Sequence, residues 1–187
     1  MTTQGENQRR EAYNAVISKY SKNLFDFGIR FCQDEEVVKD CIQQLFLELW
    51  NKNFDMARRD TLKAYLLKAI RNRVNREKEK WSKNQSLDQE YDFLLEFDIE
   101  NKMIAEATDF ELADKVKKAL NALPPRQREI IYLRFYEGLD MKQVSNVMDL
   151  NLQSAHNLLQ KAYQKIRGDW QLFLLIISLL HTKNILN

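Results

Sequence analysis

The sequence is short of the residues that form turns. Its 187 residues include four glycines and two prolines, and the two prolines are adjacent. Because glycine and proline most often interrupt helices and strands, their scarcity favours long helices joined by short loops. No segment alternates apolar and polar residues between turn-forming residues, as an exposed strand would. The composition therefore predicts an all-α fold, and the 44% hydrophobic content suffices for one domain or two small ones.

Metal ligands are also scarce. The chain has two cysteines, Cys32 and Cys41, and two histidines, His156 and His181. No Cys-x-x-Cys pair or zinc-finger spacing occurs, so we predict reduced cysteines and no metal site. The sequence also lacks a glycine-rich phosphate loop and a nucleophile elbow, which are local motifs of many enzymes. We therefore expect a non-enzymatic protein with no cofactor and no small-molecule substrate.

The longest apolar run, WQLFLLIISLL at residues 170–180, is short. A helix needs roughly 20 apolar residues to span a bilayer, about twice this length. We expect this tail to form a final helix that packs on the C-terminal domain or on a partner. The first residues, MTTQGENQRREAYN, lack the apolar core of a signal peptide. These features predict a cytoplasmic protein.

The net charge is only +2, but the charges are segregated along the chain. Lys and Arg number 7 against 9 Asp and Glu in residues 1–57, 10 against 3 in 58–83, 1 against 10 in 84–114, and 11 against 5 in 115–187. Two basic blocks suggest two contacts with one polyanion, and segregation this sharp disfavours the alternative of an ordinary charged surface. The pattern predicts helical domains at 10–83 and 115–187, joined by an acidic linker at 84–114.

Residues 123–167 have the pattern of a helix-turn-helix. The proline pair at 124–125 is placed to start a helix, because proline has a preset φ and its missing amide hydrogen would be unpaired in the first turn. Gly138 ends this helix, and a short amphipathic helix follows at about 141–148. The tight turn Asp149-Leu150-Asn151 then places its asparagine at the N-cap of the last helix.

This last helix has two different faces at the 3.6-residue period. One face is apolar, and we expect it to bury Ala155, Leu158, Leu159, Ala162, Tyr163 and Ile166. The opposite face carries four amides, an imidazole and an ammonium, from Gln153, His156, Asn157, Gln160, Lys161 and Gln164. Amides can bond adenine edges bidentately, and the major groove admits one helix. A merely solvated face is the alternative, because most surface helices have one.

A helix is predicted in the N-terminal domain from Asp34 to Trp50, with acidic residues in its first turn. One apolar stripe consists of Val38, Cys41, Ile42, Leu45 and Leu49. A second, neighbouring stripe consists of Gln43, Phe46, Leu47 and Trp50. Two interpretations are open: exposed aromatics beside Asp40 and Glu48 form a protein-binding surface, or the helix is buried on two sides.

A further helix is predicted from about Thr61 to Lys80. Its expected buried side consists of Leu62, Tyr65, Leu66, Ala69, Ile70 and Val74, and its polar side of Lys68, Arg71, Asn72, Asn75 and Arg76. The loop before it, residues 51–60, has aromatic, thioether and guanidinium groups that could hold an unstacked base and its phosphates: Phe54, Met56, Arg58 and Arg59.

Taken together, the chain from Tyr13 to Arg167 resembles the extracytoplasmic-function branch of the sigma-70 family, the bacterial RNA polymerase initiation factors. The N-terminal half matches the family pattern at Asp40, Gln43, Phe46, Trp50, Tyr65-Leu66 and Ala69-Ile70-Arg71-Asn72. The C-terminal half matches it at Leu123-Pro124-Pro125-Arg126, Arg128, Gly138 and the segment from Met141. The abundant asparagine and lysine and the apolar tail are similar to those of Bacteroidetes members.

The resemblance implies a two-domain protein that binds core RNA polymerase and directs it to promoter DNA. It implies a contact with the clamp helices of the polymerase β′ subunit for Asp40, Gln43, Gln44, Phe46 and Trp50. It implies melting and reading of the −10 element for the 51–60 loop and for Arg58, Arg59, Lys63, Tyr65, Lys68, Arg71, Asn72 and Arg76. Reading of the −35 duplex is implied for Arg126, Arg128, Lys142, Gln153, Ser154, His156, Asn157, Gln160 and Lys161.

The resemblance implies further partners. The C-terminal domain would also contact the β flap of the polymerase, and the acidic linker would pass through basic channels of the enzyme. An anti-sigma factor is also expected. The sequence departs from the family pattern at Asp149, where glycine is frequent, and at Ser145, where alanine is usual. Recognition helices of the family are often richer in arginine, so we expect modest duplex affinity that depends on Lys161, Lys165 and Arg167.

Two other functions are compatible with the same residues. One is a stand-alone helix-turn-helix regulator that binds duplex DNA as a dimer, for which palindromic sites would be expected. The other is a helical adaptor that uses its apolar faces only for protein contacts, and such a protein would show no salt-dependent DNA binding.

Overall fold

The computed structural model describes residues 3–52, 59–83, 92–94 and 118–166. Every regular element in these ranges is a helix, which confirms the predicted all-α fold. The chain divides into two compact units, Met1–Glu90 and Tyr91–Asn187. Each unit has its own apolar core, as the prediction of two small helical domains requires.

The described residues of the N-terminal unit form three helices: α1 (Thr3–Gly28), α2 (Glu35–Asn51) and α3 (Arg59–Lys83). Each contacts the other two. The first of them has no counterpart among the predicted helices. Gly28 is the last residue of α1, at a point where the backbone passes close to α2. A Cβ at this position would lie 2.8 Å from Cγ1 of the fully buried Val38.

The second helix begins and packs as its sequence predicts. The Asp34 side chain accepts hydrogen bonds from the amides of Glu36 (3.0 Å) and Val37 (3.3 Å), which satisfies two amides that the helix itself leaves unpaired. The whole predicted apolar stripe is buried, namely Val38, Cys41, Ile42, Leu45 and Leu49. The period of the apolar residues was therefore a correct guide to the side of α2 that faces the core.

The described part of the C-terminal unit includes the helices α4 (Pro125–Ile131), α5 (Met141–Val147) and α6 (Leu152–Ile166). The prolines start α4 as predicted, with Pro124 at the N-cap. The predicted first helix continues to Tyr136, but its last five residues, Tyr132–Tyr136, are π-helical, and the amide of Glu137 donates to the Tyr132 carbonyl at 3.0 Å. Gly138 then ends the helix with φ at 68°.

One residue of the predicted linker belongs to the core of the C-terminal unit. Phe93 is completely buried, and its ring packs edge-on against Tyr132 with 5.8 Å between ring centroids. Tyr132 in turn stacks on Tyr136 at 4.5 Å. Burial of this aromatic side chain attaches the chain at residue 93 to the π-helical segment.

Several predictions concern residues outside the described ranges. They are the tip of the loop at 53–58, the rest of the acidic linker at 84–91 and 95–114, and the apolar tail at 170–180. Where the structure does describe helices, none combines the length and the apolar character that crossing a membrane requires.

Candidate nucleic-acid interface

The start of α5 is fixed by reciprocal hydrogen bonds. The Asp140 side chain accepts from the amide of Gln143 at 2.8 Å, and the Gln143 side-chain oxygen accepts from the amide of Asp140 at 2.9 Å. Such a capping box satisfies two backbone amides at once. The Arg134 guanidinium also donates to the Leu139 carbonyl at 2.8 Å, so the π-helical segment holds the loop that leads into α5.

A tight turn at residues 149–151 connects α5 to α6. Asp149 adopts the left-handed conformation with φ at 53°, a conformation that glycine favours and that Asp tolerates better than most residues. The amide of Leu150 donates to the Ser145 carbonyl at 2.9 Å. Asn151 caps α6, because its side chain accepts from the amide of Ser154 at 2.7 Å. The predicted turn and its N-cap are confirmed.

The inner face of α6 packs on α4 and α5. Four of its six predicted apolar residues are buried: Ala155, Leu159, Ala162 and Ile166. Leu158 and Tyr163 are only partly buried, so the buried stripe is narrower than predicted. Tyr163 lies against Phe135 at 6.1 Å, and burial raises the pKa of its hydroxyl.

The outer face of α6 presents the predicted polar side chains to solvent. All six are exposed, namely Gln153, His156, Asn157, Gln160, Lys161 and Gln164, whereas Ser154 is partly buried. The Gln153 amide nitrogen donates to the Asn157 oxygen at 3.0 Å, and Nδ1 of His156 lies 2.8 Å from the Leu152 carbonyl. These bonds tie the side chains of Gln153 and His156 to neighbouring groups in the first two turns of α6.

Three predicted −35 contacts lie on the neighbouring helices. Arg126 on α4 and Lys142 on α5 are exposed. Arg128 on α4 is partly buried, and among the described residues its Nε has no hydrogen-bond partner. These exposed cations lie on the two helices that pack against α6, and exposed cations suit contact with phosphates.

The outer face of α2 differs from the prediction. Asp40, Gln43 and Gln44 are exposed, as a contact surface requires, and so is Leu47 at 60%. Phe46, however, is buried, so the expectation of exposed aromatics is wrong for this residue.

Trp50 is covered by α1, which explains its partial burial. Its ring lies 4.9 Å from Tyr13 and 4.4 Å from the Arg9 guanidinium, whose nitrogen also donates to the Trp50 carbonyl. Tyr13 reaches Phe46 as well, at 6.5 Å between ring centroids. The second stripe of α2 is therefore divided: its aromatic residues bind α1, and its polar residues and Leu47 face outward.

The outer face of α3 also needs correction at two residues. Tyr65 was expected to be buried but is 38% exposed. Arg71 was expected on the polar side but is only 6% exposed, with its guanidinium 6.0 Å from the Phe31 ring centroid, so it packs inside the unit.

The remaining predicted −10 contacts fall into three groups. Arg76 is exposed, and Lys63, Lys68 and Asn72 are partly buried. Arg58 lies outside the described ranges. Arg59 is the first residue of α3, and its side chain lies outside the described part of the structure.

An ion pair joins α3 to α2 beside these faces. The Arg73 guanidinium lies 2.5 Å from the Glu48 carboxylate, and its hydrogen bond lowers the pKa of that carboxyl group. Arg73 is mostly covered whereas Glu48 is half exposed. The pair links α3 to α2. The Arg73 cation is therefore already engaged within the protein.

The two units match two successive regions of one protein family. A family model for sigma-70 region 2 matches residues 16–83, and a model for sigma-70 region 4 matches residues 113–166. Together they account for about two thirds of the chain and include α6 with its exposed polar face. The chain belongs to the sigma-70 family. The region 4 match is of the extracytoplasmic-function type, so the resemblance to that branch is confirmed, whereas the similarity to Bacteroidetes members stays a prediction.

Solved structures share the fold of this sigma factor. One is the sigma factor RpoE in complex with the anti-sigma factor NepR from Bartonella quintana, at 19% identity and a TM-score of 0.56, with 82% of this chain and 92% of that chain covered. Another is CnrH in complex with the cytosolic domain of CnrY, at 17% identity and 0.52, with 85% and 87% covered. Comparison with curated protein sequences gave no significant match.

Two residues on the outer faces of the sigma factor were absent from the predicted contacts. Large apolar side chains that the structure shows as exposed are Leu47 on α2, Tyr65 on α3 and Leu152 on α6. Each lies on a different helix. Tyr65 was among the predicted DNA contacts, and Leu47 belongs to the second stripe of α2 but was not among the predicted polymerase contacts. The position of Leu152, directly after the N-cap of α6, is the signal that could have identified it.

Proposed function

We propose that this sigma factor binds core RNA polymerase through the outer face of α2 and contacts promoter DNA at two places. The partly exposed face of α3 reads the −10 element, and the exposed polar face of α6 reads the −35 duplex. The C-terminal unit also contacts the β flap, and the acidic linker occupies basic channels of the polymerase. The protein acts in the cytoplasm and opens DNA by binding energy, without nucleotide hydrolysis.

The observation that carries the −35 assignment is the division of α6 into two faces. All six predicted polar side chains are exposed, while the opposite stripe is buried against α4 and α5. A helix in this position can enter the major groove with its N-terminal residues towards the bases. The amides of Gln153 and Asn157 lie in the first two turns, where such contacts occur.

Run-off transcription tests the proposal directly. Core polymerase and this sigma factor should initiate from specific sites in a library of genomic fragments, and a lack of initiation from any fragment would refute it. Gln153→Ala should then reduce initiation by roughly 10-fold, because one bidentate base contact contributes about 1–3 kcal/mol. Gln164→Ala is the matched control, because it removes an identical side chain from the C-terminal end of the same face, and it should change initiation little.

Polymerase binding needs its own test, independent of DNA. The combined change Gln43→Ala and Leu47→Ala should weaken binding of core polymerase, because it removes the central polar and apolar groups of the exposed α2 face. Asn14→Ala removes an exposed amide from α1 and is the control. Equal affinity of the α2 variant and the control would exclude this face as the polymerase contact.

An anti-sigma partner is also proposed. The similar structure of RpoE contains an anti-sigma factor, and CnrH is bound to a cytosolic domain of CnrY. A membrane protein with a single span, encoded beside this chain, is the first candidate to test. Its cytosolic segment should bind the sigma factor and stop run-off transcription when added before core polymerase.

The stand-alone regulator is not favoured, because the two units match sigma-70 regions 2 and 4. It would gain support if the protein formed a homodimer and bound palindromic duplex sites without polymerase.

A further inference from the structure

We propose that Leu152 reads the 5-methyl group of a thymine in the −35 element. The inference rests on the proposed role of α6 as the −35 reading helix. Leu152 is the first residue of α6 and is 48% exposed, in a protein whose other described leucines, except Leu47, are largely covered. Its side chain stands at the end of the helix that faces the bases when a recognition helix enters the major groove.

The first turn of α6 is held so that Leu152 keeps its place. Asn151 caps the helix through the amide of Ser154, which fixes the backbone on both sides of Leu152. One turn later, the His156 ring bonds the Leu152 carbonyl through Nδ1 at 2.8 Å, so this ring lies back along the helix. Gln153 is tied to Asn157 in the same way. Gln153, His156 and Asn157 nevertheless stay exposed, and Leu152 is the exposed apolar group at the tip of the same helix.

The chemistry of the major groove restricts what a leucine can recognise there. Guanine, cytosine and adenine present hydrogen-bonding groups in the groove, whereas thymine adds a methyl group that accepts apolar contacts. A leucine side chain has no donor for a phosphate or for a base edge. The thymine methyl is therefore the base feature that its burial would favour.

Promoter selection from a randomised −35 segment tests this inference. Holoenzyme containing the wild-type sigma factor should enrich a thymine at one position of the duplex. Leu152→Ala should lose that preference while keeping the selection at the other −35 positions. Replacing the selected thymine by deoxyuridine removes only the methyl group, and it should lower initiation by wild-type holoenzyme by about 4-fold, the effect of one buried methylene-sized group.

The same duplexes give the decisive comparison. Initiation by Leu152→Ala holoenzyme should be equal on thymine and deoxyuridine templates, and deoxyuridine outside the −35 element should have no effect on either protein. Asn14→Ala truncates an exposed side chain on α1, outside the proposed polymerase and DNA contacts, and should keep the thymine preference. A circular dichroism melt of Leu152→Ala matching that of the wild type would show that folding is intact.

Three outcomes would overturn the inference without affecting the proposed function. They are a −35 consensus without thymine, an unchanged thymine preference in Leu152→Ala, and a loss of core polymerase binding in that variant, which would make Leu152 a protein contact. If the wild-type holoenzyme selected no −35 sequence at all, the proposed role of α6 itself would fail.

Discussion

Replacing Phe93 by alanine should destabilise the C-terminal unit strongly. The side chain is completely buried and packs edge-on against Tyr132, which itself stacks on Tyr136. Removal of a buried phenylalanine side chain typically costs about 3–5 kcal/mol, to which the aromatic pair contributes. Residues 92 and 94 are only partly buried, so some relaxation into the cavity is expected. We therefore predict a loss of about 3 kcal/mol in the free energy of unfolding of this unit.

Amide hydrogen exchange of the full chain measures this loss in each unit separately. A change of about 3 kcal/mol corresponds to a roughly 100-fold decrease in protection of the amides at 131–133. Phe93→Leu should lose much less, because it keeps most of the buried volume. Phe31→Ala, which removes a buried ring from the N-terminal unit, should leave these amides unchanged. Protection within 3-fold of the wild type in Phe93→Ala would refute the assignment of this residue to the core.

Three other perturbations have expected outcomes. Gly28→Ala places a Cβ 2.8 Å from Val38 and should destabilise the N-terminal unit by about 1–3 kcal/mol in urea unfolding. Adding Val38→Ala should relieve part of this loss, and purely additive effects of the two substitutions would contradict the clash. Asp140→Ala removes the capping box of α5 and should cost about 1 kcal/mol in thermal unfolding, whereas Asp140→Asn should cost less. Burial raises the pKa of the Cys41 thiol above its value in the unfolded chain. The stability that this pKa difference contributes is present below the ordinary thiol pKa and is lost as pH rises towards the folded pKa. The free energy of unfolding of Cys41→Ala should therefore decrease less than that of the wild type at alkaline pH.

Local signals predicted much of the helical framework. The start of α2 at Asp34, the N-cap at Asn151, the proline start of α4 and the break at Gly138 all lie where the sequence predicts them. These features depend on side chains bonding to nearby backbone or on the conformational limits of one residue, and such information is contained in a few neighbouring positions. The exposed polar face of α6 was predictable for a similar reason, because a single helical period separates it from the core.

The errors come from contacts between distant parts of the chain. Phe46 is an aromatic residue at the edge of a stripe, and only the presence of α1 with Tyr13 decides that it is buried. Arg71 has the polarity of a surface residue, but the Phe31 ring provides a partner for its guanidinium within the unit. Phe93 lies in a strongly acidic segment and gives no periodic signal. In each case the partner is at least 30 residues away, beyond the reach of a local pattern.

The burial of Arg71 also affects how this sigma factor should respond to ionic strength. Binding to DNA weakens with salt in proportion to the phosphates neutralised, with a logarithmic slope of about −0.7 to −0.9 for each. Residues 58–83 contain ten lysines and arginines, and that number alone would predict a steep dependence. Arg71 is enclosed, however, and Arg73 is paired with Glu48. Cations that are buried or paired within the protein release no counterions from DNA. Promoter binding through α3 should therefore be less sensitive to salt than the ten lysines and arginines of residues 58–83 would predict.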